Sequence, residues 1–206
     1  MRVPLHTVPN ANPQCYHFSV KRAGFVLAGG RSSRMGREKA LLPYRGGVLA
    51  GFVARAVELA AGSVTLVGNP SRLGSVGYDI LPDIYPGEGP LGGILTVLQH
   101  NAAVWNLVVA CDMPEVSAAI LTALLDAAER EDPDVLVPAG PCGLLEPLCA
   151  VYHRRSQQAL DAAFAAGVRK VTIAFHGLRV AVFPFPELTP FQNVNTPEDW
   201  AGYAAK

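Results

Sequence analysis

The residues of this chain that could do chemistry gather in a few short stretches. The densest is residues 26–42, Val26-Leu27-Ala28-Gly29-Gly30-Arg31-Ser32-Ser33-Arg34-Met35-Gly36-Arg37-Glu38-Lys39-Ala40-Leu41-Leu42. An apolar run ends in two glycines, passes through a basic, serine-bearing loop and reaches a lysine. Gly29 and Gly30 lack side chains, so backbone N–H groups there can approach phosphate oxygens closely. Arg34 can offer a two-pronged fork to a phosphate, and Lys39 a point charge to a β- or γ-phosphate. Such a loop suits a nucleoside triphosphate. Its spacing is neither G-x-G-x-x-G nor G-x-x-x-x-G-K-[ST], so the dinucleotide-binding and P-loop readings lose their main support.

Four further stretches carry candidate groups. Asp112, in Cys111-Asp112-Met113-Pro114, ends the most hydrophobic strand candidate. A carboxylate there is costly without a partner, and a hard cation held through oxygen is the natural one. Magnesium takes one or two carboxylates, with phosphates and waters completing its octahedron. Asp83 opens Asp83-Ile84-Tyr85-Pro86-Gly87-Glu88-Gly89-Pro90-Leu91, an acid at a strand end before a Gly/Pro turn that starts a helix. It reads either as a turn or cap residue or as a ligand contact. Glu146-Pro147-Leu148-Cys149-Ala150-Val151-Tyr152 offers a carboxylate that is either an edge-strand charge or part of a cleft. Thr196-Pro197-Glu198-Asp199 is a good helix start, which leaves the preceding Asn193 and Asn195 without an explanation.

The string L-A-G-G-x-x-x-R-M-G-x-x-K over Leu27–Lys39 resembles the signature of the nucleotidyltransferases, specifically the MobA-type molybdenum cofactor guanylyltransferases. The later blocks follow in family order, so the resemblance runs from about Gly24 to Trp200. It implies that Leu27, Ala28, Gly29, Gly30, Lys39, Asn69, Asp83, Asp112, Asn193 and Asn195 bind substrate. It implies that Arg34, Lys39 and Asp112 are catalytic, with Asp112 the ligand of a Mg2+ cofactor. The implied reaction moves GMP from GTP to the phosphate of the molybdopterin cofactor and releases pyrophosphate, with transient docking to other molybdenum cofactor proteins. A phosphate nucleophile is already ionised near neutral pH and needs no protein base, in keeping with motifs that contain no histidine. Glu38 is a conservative departure from the family's usual aspartate before the lysine. Related cytidylyltransferases read L-A-A-G where this chain has L-A-G-G, so a CTP-dependent enzyme, or one acting on another small phosphate, is the alternative. A nucleotide-binding regulator without turnover is disfavoured by the presence of both Lys39 and Asp112.

The elements that must position these groups follow from periodicity. Strands are expected at Gly24–Ala28, Val64–Gly68, Tyr78–Leu81, Leu107–Cys111, Val135–Pro138, Leu148–Tyr152 and Val180–Phe183. Helices are expected at Val48–Ala60, Leu91–Gln99, Ala118–Arg130, Arg154–Ala166 and Pro197–Ala204. Alternation of this kind predicts an α/β fold with a mostly parallel central sheet, and the resemblance makes it the three-layer Rossmann-like nucleotidyltransferase fold. Open parallel sheets bind ligands beyond their strands' carboxyl ends. Gly29-Gly30, Asn69, Asp83 and Asp112 follow the first four strands and should share one rim.

Bulk properties agree. The 206 residues, half of them hydrophobic, suffice for one large domain with a real core. A single domain over 23–206 is expected, preceded by a flexible extension over 1–22. The formal net charge of +0 disfavours a dedicated nucleic-acid binder. The four cysteines form no C-x-x-C pair, which points to neither a zinc site nor a redox pair. Without a spanning apolar run or a secretory signal, no membrane role and a cytoplasmic location are expected.

Overall fold

The computed structural model describes residues 21–29, 39–100, 103–186 and 189–204. Its elements in chain order are β1 (Arg22–Leu27), β2 (Pro43–Tyr44), β3 (Gly47–Val48), α1 (Leu49–Ala61), β4 (Val64–Gly68), α2 (Pro70–Leu73), β5 (Ile80–Pro82), α3 (Pro90–His100), β6 (Trp105–Ala110), α4 (Ala118–Glu131), β7 (Val135–Ala139), β8 (Cys149–His153), α5 (Gln157–Ala165), α6 (Val171–Ala174), β9 (Val180–Pro184) and α7 (Pro197–Ala204). All but two residues of the expected extension lie outside the described residues, and Arg22 already belongs to β1.

Seven strands form one sheet in the order β5-β4-β1-β6-β8-β7-β9. Every neighbouring pair is parallel except the two that involve β8, which runs against both β6 and β7. Side chains alternate between faces along each strand. Val26 therefore packs with α1 and α4 on one face, while Phe25 and Leu27 pack with α3, α5 and α6 on the other. The expected three-layer, mostly parallel architecture is present. All six residues of β6 are buried, as the continuous apolar run of a doubly covered central strand demands. The one polar residue among them, Asn106, donates its amide to the Ala103 and Tyr152 carbonyls at 3.3 and 3.2 Å, which offsets the cost of its burial.

Four differences from the expected elements have local causes. The third strand starts at Ile80 rather than Tyr78, because Gly77 turns the chain at φ 84° just before it. The first turn of the helix expected from Arg154 is a 3-10 turn, Arg154–Ser156, capped by the His153 ring accepting from Arg155 N. A two-residue hairpin, β2–β3, precedes α1. Its turn residues Arg45 and Gly46 both have positive φ, at 46° and 80°, as a tight hairpin matching the strand twist requires. The short helices α2 and α6 were also not expected; a single turn carries too little periodicity to be seen.

Because β1, β4, β5 and β6 are parallel, their carboxyl ends meet on one rim. Ladder bonds continue past the strands there: Ala28 N donates to Val67 O at 2.8 Å, Cys111 N to Leu27 O at 3.1 Å, and Asp83 N to Gly68 O at 3.3 Å. The reversed β8 brings its beginning to the same rim, where Ala110 N donates to Leu148 O at 2.7 Å.

Candidate functional site

A cavity of about 460 Å³ opens on this rim, within the range of small-molecule sites. Leu27, Ala28 and Gly29 enter it from the end of β1, Lys39 from the segment before the hairpin, and Asp83 from the end of β5. Asp112 enters from the end of β6, and Asn193 and Asn195 from the strand-free segment before α7. Gly30 and Arg34 lie outside the described residues. Asn69 does not line the cavity. Its Oδ1 accepts from Ser71 N at 3.0 Å and Ser71 Oγ at 2.7 Å, so its side chain caps α2, with Pro70 at the helix's first position.

The polar groups form one connected set. Lys39 Nζ lies 2.8 Å from Asn195 Oδ1 and 3.3 Å from Asp112 Oδ2. Both charged side chains of that pair are only 19% exposed. Burial pushes the Asp112 carboxyl above the ordinary carboxylate range, and the nearby Lys39 ammonium opposes that push without cancelling it. The Asp112 carbonyl also accepts from Val194 N at 2.9 Å, which ties the asparagine segment directly to the end of β6. Asn193 Oδ1 is buried without a hydrogen-bond partner, an arrangement that costs free energy until a donor or cation arrives.

Asp83 is divided between two tasks. Its Oδ1 accepts from Tyr85 N at 2.9 Å and from Thr96 Oγ1 at 3.1 Å, fixing the start of the loop that leads to α3. Its Oδ2 faces Gly29: a Cβ built on that glycine would sit 3.6 Å from it. The loop is pinned against α3, since a Cβ on Gly92 would meet the Tyr85 Cβ at 2.8 Å. Only glycine lets the helix approach this closely.

The donor set suits a hard cation. A carboxylate residue, Asp112, and two amide residues, Asn193 and Asn195, line one cavity, and the Asn193 Oδ1 is buried and unpartnered. Among the described residues no group of three or more His, Cys, Asp or Glu could hold a metal. Glu146, half-buried and with its carboxyl pushed up by burial, does not line the cavity; Leu148, two residues on, does. Leu148 belongs to the Glu146–Tyr152 stretch read as part of a cleft, while Gly93 and Ala110 line the cavity without having been expected to. They are apolar wall residues, and the only signal for them is their place beside strand ends.

Comparison with known proteins gives the chain its relatives. The family model described as the MobA-like NTP transferase domain matches residues 24–178. A molybdenum cofactor guanylyltransferase from Xanthomonas euvesicatoria is 36% identical over 189 residues, covering 86% of this chain and 92% of the relative. A probable molybdenum cofactor guanylyltransferase from Clostridium perfringens is 32% identical over 191 residues, covering 88% of this chain and 95% of its own. Among solved structures, molybdopterin-guanine dinucleotide biosynthesis protein A from Archaeoglobus fulgidus superposes with a TM-score of 0.75 at 27% identity, covering 88% of this chain and 96% of that one.

Proposed function

The chain belongs to the MobA-like NTP transferase family, and from that premise we propose that it moves GMP from GTP onto the phosphate of the molybdopterin cofactor. An oxygen of the acceptor phosphate forms a bond to the α-phosphorus of GTP, the bond between the α-phosphorus and its bridging oxygen to the β-phosphate breaks, and pyrophosphate leaves. The observation that carries the reading is the convergence of Gly29, Lys39, Asp83, Asp112, Asn193 and Asn195 on one cavity from distant parts of the chain, in a chain whose relatives bear the guanylyltransferase name.

Each residue's task follows from its chemistry. Lys39, already inside the cavity, meets the β- and γ-phosphates and disperses the charge of departing pyrophosphate. Arg34 and the Gly29-Gly30 backbone hold the triphosphate. Asp83 and Gly29 face each other where the base or ribose binds. Asp112, with Asn193 and Asn195 beside it, would hold Mg2+, which supplies charge neutralisation at the reacting phosphates when bound. With no base required, catalysis reduces to positioning and electrostatics. We place the reaction in the cytoplasm, with transient docking to other molybdenum cofactor proteins; among the described residues no helix is long and apolar enough to cross a membrane.

Calorimetric titration with GTP, CTP and ATP, each with and without magnesium, tests the reading. Tight, magnesium-enhanced binding of GTP alone is expected. Preference for CTP would move the chain to the cytidylyl branch, and binding of none by folded protein would overturn the nucleotide assignment.

A further inference from the structure

We infer that Asp199 is a positioning residue for the site: its carboxylate fixes the backbone of Asn195 and, through the Asn195 carboxamide, the Lys39 ammonium. The inference rests on the reading of the cavity as a nucleotide site. Thr196 and Asp199 form a reciprocal helix cap at the start of α7, in which Asp199 N donates to Thr196 Oγ1 at 3.1 Å and Thr196 N donates to Asp199 Oδ2 at 2.9 Å. That box satisfies the helix. Asp199 Oδ2 also accepts from Asn195 N at 3.0 Å, a group one residue before the cap that the helix does not need held. The extra bond fixes the residue whose Oδ1 accepts from Lys39 Nζ at 2.8 Å, and Lys39 in turn lies 3.3 Å from Asp112 Oδ2.

The rest of the surroundings serve the same end. Val194, immediately before Asn195, is wholly buried and its N–H is bound by the Asp112 carbonyl. Trp200, immediately after Asp199, lies 5.9 Å ring to ring from Tyr44, in the hairpin that follows Lys39 by four residues. Asn195 is therefore held on both sides, by Asp112 through Val194 and by Asp199 directly. Removing the Asp199 carboxylate frees one side and lets the carboxamide, with the ammonium bound to it, leave the place where phosphates arrive. An ammonium that must be gathered anew at each binding event holds phosphate less tightly than one already in place.

The test compares Asp199→Ala and Asp199→Ser with Asp199→Asn and Thr196→Ala. The amide oxygen of Asp199→Asn can still accept both N–H bonds, while Thr196→Ala weakens the helix cap and leaves Asn195 held. Partners that orient the residues of a metal site are worth about 10- to 100-fold, and Asn195 stands beside the proposed metal position, so Asp199→Ala and Asp199→Ser are expected to weaken GTP binding in magnesium by at least about tenfold. The other two should stay within about threefold of wild type. A second readout needs no nucleotide: the acylation rate of Lys39 by acetic anhydride, followed by mass spectrometry, rises severalfold in Asp199→Ala and not in Thr196→Ala. Wild-type behaviour of Asp199→Ala in both assays overturns the inference, as does equal loss in Thr196→Ala, which would mean that only helix stability had been measured. Failure of wild type to bind GTP would overturn the nucleotide reading, and the acylation comparison would still decide whether Asp199 positions Lys39.

Discussion

Replacing Asp112 by asparagine should cost the protein its turnover and little or none of its stability. The charges of Asp112 and Lys39 lie 3.3 Å apart, which at an effective dielectric constant of 20 is a gross attraction of about 5 kcal/mol. Burial opposes it. The Asp112 carboxyl sits above its ordinary range, with burial the largest cause and Lys39 only a partial offset. In the folded protein the ionised form is thus less favourable than in the unfolded chain. A raised carboxyl pKa means a penalty present above the folded value and relieved as pH falls through it. Asparagine keeps the shape, removes that penalty and leaves Lys39 its bond to Asn195. The expected change in unfolding free energy at neutral pH lies between zero and about 1 kcal/mol of stabilisation, or a rise of up to roughly 4 °C for a chain of this size. Turnover, by contrast, loses the charge proposed to hold the metal, an electrostatic contribution of about 3–4 kcal/mol and so about 10²- to 10³-fold. Thermal unfolding without nucleotide and a pyrophosphate-release assay read the two effects. A stability loss beyond about 2 kcal/mol would show that the carboxylate is a structural ion-pair partner, and turnover within tenfold of wild type would remove Asp112 from the metal.

Two further outcomes follow from the geometry. Gly29→Ala should fold normally, since its Cβ would meet Asp83 Oδ2, Gly68 Cα and Val67 O at 3.6–3.9 Å, all ordinary contacts; the methyl group fills the space over Asp83, so the ratio of GTP to CTP affinity should fall about tenfold, the lower end of the range for one methyl group, and an unchanged ratio would take base selection away from this position. At the opposite rim, Arg22 and Lys21 bind Glu129 at 2.7 and 2.8 Å and hold its carboxyl at about 2 instead of 4.5; this depressed value contributes stability above pH 4.5 that is lost as pH falls toward 2, so Glu129→Gln should cost about 1–3 kcal/mol at pH 7 and flatten the acid limb of a stability–pH curve, which an unchanged limb would refute.

What could be read from the sequence depended on how local its cause is. Helix α4 begins at Ala118 because Ser117 caps it, and α1 ends before Gly62, which supplies the left-handed turn; both signals lie within a few residues of the boundary. Parallel strand ends are nearly as legible, so Gly29, Asp83 and Asp112 could be placed on one rim from strand order alone. The direction of β8 could not, because a buried apolar run carries no mark of which way it is paired. Asn69 was expected at the nucleotide by resemblance, yet the pair Asn69-Pro70 is itself a helix-start signature and its side chain caps α2. The contact between Lys39 and Asn195 spans 156 residues, and no periodicity reaches that far.

The long reach of that contact has a physical basis in the segment that makes it. Asn193 and Asn195 lie beyond residue 178, where the family model ends, and no β-ladder holds them. Apolar side chains hold them instead. Phe191 is buried and packs edge-on against Phe185, with ring centres 5.1 Å apart, and Val194 is buried between the two asparagines. Burying two such side chains contributes about 3–6 kcal/mol, enough to offset ordering several backbone residues at about 1–2 kcal/mol each. The two asparagines flank the buried Val194, and both line the cavity. The amide oxygen of Asn193 is thus carried into a buried place without a partner by the packing of its neighbours, and the stability that Phe191 and Val194 supply is partly spent on keeping it ready for one.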